Sequence, residues 1–115
     1  MIFGNRVNFS LSTGRHIRII IMKLFIKNIV QDTYTNASGF ALLTTLQNSL
    51  RNNQKVTLSF KDATPPSTSF LNSSIGELLE QYGFAKFKNL VKFVDLTATQ
   101  AQVLKNYFLS CDYKN

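Results

Sequence analysis

The stretch VTLSFKDATPPSTSFLNSSIGELLEQY, residues 56–82, determines the expected fold because it combines the signals of a strand, a tight loop and a helix. Its first residues alternate between apolar and polar at the period of a strand, with Val56, Leu58 and Phe60 on one face. Pro65 and Pro66 cannot continue this strand, since proline lacks a backbone donor and keeps the preceding residue out of helical geometry. The chain is therefore predicted to turn between residues 62 and 66.

A helix is predicted after the two prolines, because apolar residues recur there at helical spacing: Leu71, Ile75, Leu78, Leu79 and Tyr82. Gly83 is predicted to end it. Ser67, Thr68 and Ser69 then lie at the turn from strand to helix. That is the position at which an open α/β sheet usually presents its functional groups.

The stretch of residues 56–82 resembles the STAS domain, the fold of anti-sigma factor antagonists. It is more similar still to the STAS-like bacterial domains of unknown function, in which Ser-Phe-Leu opens a helix after a strand and a short loop, as Ser69-Phe70-Leu71 do here. The similarity extends over roughly residues 23–108, and its motif-like part is residues 56–79. Our sequence-based prediction is accordingly a STAS-like α/β domain.

The resemblance implies a regulatory module that binds a protein partner with a kinase-like ATP-binding domain and is not an enzyme. In STAS antagonists an Asp-Ser-Ser-Gly-like run follows this strand, and the partner kinase phosphorylates one of its serines. Ser67, Thr68 and Ser69 occupy that run here, with Ser67 in place of the acid and Phe70 in place of the glycine. These four residues are the predicted partner-binding or phosphorylation site. The competing interpretation is that the hydroxyls only cap the helix.

The segments on either side repeat the alternation of strand and helix. Residues 23–30 are predicted to form a strand, and residues 37–52 a helix that buries Phe40, Leu43, Leu46 and Leu50, with Leu42 at the edge. Residues 84–88 are predicted to form a connector and residues 90–96 a strand. The sequence Thr97-Ala98-Thr99-Gln100 is a capping-box pattern, so it should begin the final helix, with Ala101, Leu104 and Phe108 buried.

This order predicts one α/β domain with a small, largely parallel or mixed sheet and three to four helices. Its predicted parallel strands are residues 23–30, 56–60 and 90–96. The predicted core is Ile26, Leu43, Leu46, Leu58, Phe60, Leu71, Ile75, Leu78, Val94, Leu104 and Phe108.

Residues 1–22 are predicted to be an N-terminal extension to a domain of residues 23–115. Residues 1–21 contain no acid, and Met22-Lys23 resembles a translation start. The alternative is an extra hairpin in which residues 7–11 and 17–21 pair. Arg18, Lys23 and Lys27 interrupt the apolar run here, so no membrane association is expected.

The net charge of +7 raises an alternative function, a small basic module that binds single-stranded nucleic acid. Lys86, Lys88 and Lys92 cluster in sequence around Phe87, and basic residues interleaved with an aromatic ring can contact phosphates and stack on bases. The competing interpretation of this cluster is a solvated loop and strand end.

The residue types needed for catalysis are sparse, so we predict no catalytic, cofactor-binding or metal-binding residues. His16 is the only histidine and Cys111 the only cysteine, which excludes an internal disulfide and two-cysteine metal motifs. Glu77 and Glu80 are three residues apart on the predicted helix, where a solvated pair is expected. The lone thiol fits a reducing compartment, so a cytoplasmic protein is predicted.

Overall fold

The computed structural model describes residues 20–52 and 54–112, which form an α/β fold around a three-stranded parallel sheet. The strands are β1 (Ile20–Phe25), β2 (Gln54–Ser59) and β3 (Val91–Val94), and β2 lies between the other two. In register, Leu24 pairs with Leu58, and Leu58 pairs with Phe93. The predicted parallel α/β class is confirmed.

The first strand was predicted too late in the chain. β1 begins at Ile20, and residues predicted to continue it form the single helical turn α1 (Ile26–Ile29). Ile26, Ile29 and Val30 have the three- to four-residue spacing of a helix, and the turn places Ile26 in the core. The alternative hairpin of residues 7–11 and 17–21 lies mostly outside the described residues, and His16 lies entirely outside them.

Helix α2 (Asn36–Arg51) matches the predicted helix, but its buried stripe is rotated. Phe40 was expected to be buried and is 64% exposed, whereas Leu42, expected at the edge, is buried. The stripe begins at Gly39, which packs closely against the backbone of the neighbouring helix, and this orientation turns Phe40 outward.

The helix predicted after the two prolines is broken at Ser74 into α3 (Thr68–Ser73) and α4 (Ile75–Tyr82). The buried hydroxyl of Ser74 donates to the carbonyl oxygen of Phe70 at 2.7 Å, and its backbone leaves helical geometry at φ −122°. The predicted apolar face is nevertheless correct. Gly83 ends α4 with a φ of +80°, a conformation that favours glycine.

The predicted connector at residues 84–88 is wrong, because this segment is helix α5 (Phe84–Leu90), with Phe87 buried. The final helix, α6 (Ala98–Asp112), begins with the predicted capping box. The backbone N–H of Thr97 donates to Gln100 Oε1 at 2.9 Å, and that of Gln100 donates to Thr97 Oγ1 at 3.1 Å. Its buried face differs from the prediction, because Ala101 is exposed and Tyr107 is buried.

The helices pack on one face of the sheet and share one hydrophobic core with it. Nine of the eleven predicted core residues are buried, while Val94 and Phe108 are only half-buried. Val94 pairs with Ser59, whose side chain alternates with those of Leu58 and Phe60, so Val94 lies on the opposite face from the core. Phe108 lies in an aromatic cluster with Phe84, Phe87 and Phe93.

Candidate functional site

The loops that follow β1 and β2 meet at the carboxyl edge of the sheet and are held together by hydrogen bonds. The buried hydroxyl of Thr33 lies 2.7 Å from Thr64 Oγ1, and the backbone N–H of Ser67 donates to the carbonyl oxygen of Thr33 at 2.9 Å. A third element joins them where α6 begins, since the buried Gln100 amide donates to the carbonyl oxygen of Ala63. Hydrogen bonds thus connect the strand-to-helix turn both to the loop after β1 and to the start of α6.

Ser67 is the N-cap of α3, and its hydroxyl makes two hydrogen bonds. It accepts from the backbone N–H of Phe70 at 3.1 Å and donates to the carbonyl oxygen of Tyr34 at 3.0 Å. The first bond satisfies a helix amide that would otherwise lack a partner. The competing interpretation, that the hydroxyls of residues 67–69 cap the helix, therefore applies to Ser67.

The other three residues of the predicted site have different surroundings. Thr68 and Ser69 form the first two positions of α3, and both side chains are exposed. Phe70 is fully buried and packs in the core, which leaves it unavailable as an aromatic anchor for a partner. The structure therefore presents the hydroxyls of Thr68 and Ser69 to solvent.

Two exposed aromatic residues lie on the segments that are hydrogen-bonded to α3. Tyr34 is 65% exposed, and the Asp32 carboxylate holds its loop by accepting hydrogen bonds from the backbone N–H groups of Tyr34 and Thr35. These bonds, led by that from Tyr34, keep the pKa of Asp32 below its usual value. Phe40 lies one helical turn beyond Asn36, whose side chain accepts a hydrogen bond from Ser73 of α3.

We name Tyr34, Phe40, Thr68 and Ser69 the α3 turn surface. Neither aromatic residue was predicted to be part of the site. Tyr34 lies in a polar loop without any periodic pattern, and Phe40 fits an apolar helical stripe as well as Leu42 does. Only the position of α3 against α2 distinguishes the buried residue from the exposed one.

A second polar cluster, also missed in the sequence, lies at the end of β2 and β3. The buried Ser59 hydroxyl donates to Asp95 Oδ2 at 2.6 Å, and Lys23 Nζ lies 3.6 Å from the same oxygen. The hydrogen bond from Ser59, aided by the Lys23 charge, lowers the pKa of Asp95 below its usual value. Asp95 has a φ of 57°, so the chain turns sharply there.

Replacing Ser59 by Ala is expected to raise the pKa of Asp95 toward its usual value, because the strongest hydrogen bond to the carboxylate is lost. In the wild type, the stabilising contribution of the depressed pKa is present above the pKa of the unfolded chain and is lost as the pH falls through the lower folded value. Carbon NMR titration of the side-chain carboxyls measures the pKa of Asp95 in the wild type and in the variant. Thr57→Ala, on the same strand, is the control and should leave the titration of Asp95 unchanged.

The residues of the predicted nucleic-acid site lie on two elements, α5 and β3. Phe87 is buried, so its ring cannot stack on a base. Lys86 and Lys88 lie on α5, where their ammonium groups are 5.5 Å and 5.4 Å from the rings of Tyr82 and Phe84. Lys92 lies on β3, on the face of the sheet away from the helices. Phe87 is therefore unavailable for stacking, and nucleic-acid contact by Lys86, Lys88 and Lys92 stays a prediction.

Other candidate groups of the sequence remain isolated. Glu77 and Glu80 are exposed on α4, and Cys111 is half-buried near Tyr107. Among residues 20–52 and 54–112, no group of three or more His, Cys, Asp or Glu side chains could hold a metal ion. None of the helices described has the length and apolar character needed to span a membrane.

Comparison with known families assigns the chain to a family. A family model described as a STAS-like domain of unknown function (DUF4325) matches residues 38–101, more than half of the 115 residues. No curated protein and no solved structure is significantly similar to the chain. The matched segment contains β2, the α3 turn and β3, around which the fold is built. The chain therefore belongs to the family of STAS-like domains of unknown function.

Proposed function

We propose that the protein is a non-enzymatic regulatory module of the bacterial cytoplasm that binds a protein partner through the α3 turn surface. The observation that carries this proposal is that two exposed hydroxyl residues, Thr68 and Ser69, begin a helix that is hydrogen-bonded to the two segments carrying the exposed residues Tyr34 and Phe40. Tyrosine and phenylalanine are enriched at protein interfaces. Family membership supports a regulatory role, since the domain is STAS-like.

The rigidity of the turn also favours binding. Ser67 ties the start of α3 to the Tyr34 loop, and Thr33 ties that loop to Thr64. Pro65 and the buried Pro66 restrict the backbone that leads into the helix. A surface already held in one conformation loses less conformational entropy when a partner docks.

The partner that fits the resemblance to STAS antagonists is a protein with a kinase-like ATP-binding domain. We propose that it phosphorylates Thr68 or Ser69, because these hydroxyls are exposed and reach solvent. Ser67 is the poorer acceptor, since its oxygen already makes two hydrogen bonds that position the turn. A phosphate would add about −1.5 to −2 charges to the α3 turn surface and change what this surface can bind.

Changing Thr68 and Ser69 together to Asp is expected to reduce partner recovery several-fold while the fold is preserved. Acidic residues are acceptable in the first turn of a helix, so α3 should persist. The measurement is recovery of interacting proteins from cells that naturally contain the chain, with circular dichroism to show equal folding. The recovered partner should carry an ATP-binding kinase-like domain, and mass spectrometry of the wild type should find phosphate on Thr68 or Ser69.

A matched control is available at the start of α6. Ala98 and Thr99 follow the cap Thr97 as Thr68 and Ser69 follow the cap Ser67, so Ala98→Asp with Thr99→Asp adds the same charges at equivalent helix positions. This control should leave partner recovery unchanged. If both double variants recovered the partner equally well, the hydroxyls of α3 would have no specific role in binding, and the proposed phosphorylation switch would be wrong.

A further inference from the structure

The sheet has a second face whose composition differs from that of the core face. Side chains alternate between the two faces along each strand, and Val56 and Leu58 point into the core. The register then assigns the opposite face: Lys23 pairs with Thr57, and Thr57 pairs with Lys92. Lys55 and Phe25 belong to the same face by alternation. We name Lys23, Phe25, Lys55, Thr57 and Lys92 the lysine face.

The lysine face is separate from the hydrophobic core. Within the part of the chain that the structure describes, none of its five residues belongs to the core cluster, which collects the buried residues of the helices and the other sheet face. The side chain of Lys23 is 52% exposed, and Lys92 is also exposed. Ile21 on the same face of β1 is 67% exposed. Phe25, Lys55 and Thr57 are half-buried, so this face is partly accessible in the described structure.

The charge of the lysine face indicates what kind of ligand it would bind. Three lysines lie on three adjacent strands, and Lys61 adds a positive charge close to Asp95 beyond the end of β2. Asp95, which pairs with Lys23, is the acid that offsets this charge among the described groups at that end of the face. Neighbouring strands are about 4.8 Å apart, so Lys23 and Lys92 flank Thr57 at a separation of about 10 Å. The face is complementary to an extended chain of negative charges.

We propose that the lysine face binds single-stranded nucleic acid, a function that does not depend on the α3 turn surface. The lysines supply phosphate contacts, the Thr57 hydroxyl lies between two of them as a further donor, and Phe25 provides a ring for a base. Lys23 Nζ lies 5.3 Å from the centre of the Phe25 ring, so the positive charge and the aromatic ring are presented together. A sheet face with an aromatic ring suits unpaired bases, whereas the major groove of a duplex is read by an inserted helix or ribbon.

The test measures binding of the full chain to labelled oligo-dT and oligo-rU of about 12 nucleotides by fluorescence anisotropy across a salt series. Wild-type affinity should fall linearly with log salt. Lys55→Gln with Lys92→Gln should flatten that slope by about 1.4, because each lost contact to a single strand removes about 0.7. The oligonucleotide that binds with the higher affinity identifies DNA or RNA as the ligand.

The control is Lys86→Gln with Lys88→Gln, which removes the same charge from α5 and should leave the slope near that of the wild type. Circular dichroism checks that both variants fold. Three results would overturn the proposal: no binding by the wild type, the same slope change in both variants, or displacement by poly-glutamate as effective as by unlabelled oligonucleotide. Displacement by poly-glutamate would indicate an acidic protein as the occupant, and absence of binding by the wild type would exclude single-stranded nucleic acid as the ligand of this face.

Discussion

Replacing Leu78 by Ala is expected to lower the free energy of unfolding by about 2–5 kcal/mol, the range for a large-to-small change at a buried leucine. Leu78 lies on α4 and is fully buried in the cluster that joins the helices to the sheet. The change removes apolar surface from the core and leaves a cavity, which surrounding side chains fill only in part. Chemical denaturation followed by circular dichroism measures the loss.

Leu109→Ala provides the comparison, because Leu109 lies on α6 and is 57% exposed. Its loss should change stability by no more than about 0.5 kcal/mol. If the two variants were equally stable, α4 could not be packed on the sheet through Leu78, and the assignment of its buried face would be wrong.

The central part of the fold could be predicted from the sequence because its periodic signals agree with one another. The alternation around Leu58 and the helical spacing of Ile75 and Leu78 place all three residues in the core, as the structure confirms. The break at Ser74 could not be predicted in this way. The apolar spacing continues across it, and the hydrogen bond from the Ser74 hydroxyl to the Phe70 carbonyl becomes visible only in three dimensions.

The error at residues 84–90 has a different origin. The prediction of a connector at residues 84–88 overlooked a helical pattern in which Phe84, Phe87 and Val91 are three or four residues apart. Such a short apolar pattern does not by itself determine the type of element, so neighbouring elements decide it. Here the aromatic cluster around Phe108 favours the helix, because it buries Phe87 against α6.

The candidate surfaces depended on the fold even more strongly. The hydroxyl run at Ser67–Ser69 was found from the sequence, since it follows a strand and two prolines. The lysine face was not, because Lys23 and Lys92 are distant in sequence and become neighbours of Thr57 only through the parallel register. Alternation within a strand indicates which residues share a face, but strand order decides which charges meet.

Replacing Gly39 by Ala is expected to destabilise the protein by about 1–3 kcal/mol, the usual cost of overpacking. An added Cβ at this position would lie 2.6 Å from the carbonyl oxygen of Phe70 and 2.7 Å from Ser73 Cβ. These atoms belong to the adjoining helix, so relief requires α2 and α3 to separate. The sign is opposite to that of Gly→Ala at an unobstructed helical position, where alanine is favoured by about 1 kcal/mol. Thermal and denaturant unfolding give the measurement.

Gly76→Ala separates the effect of close helix packing from that of helix propensity. The nearest atom to its added Cβ is the hydroxyl oxygen of Tyr107, at 2.5 Å, which is the far end of a side chain that can rotate away. Rotation would give up the hydrogen bond from Tyr107 to Asn72 Oδ1, and the gain in helix propensity offsets that loss, so the net change should stay within about 1 kcal/mol.

Gly39→Ala should also move the α3 turn, because the displaced Phe70 carbonyl belongs to the helix that carries Thr68 and Ser69. Weaker partner recovery by folded Gly39→Ala, with normal recovery by Gly76→Ala, would tie the packing of α2 against α3 to the binding surface. Equal stability of the two variants would show that α2 and α3 do not make this close contact.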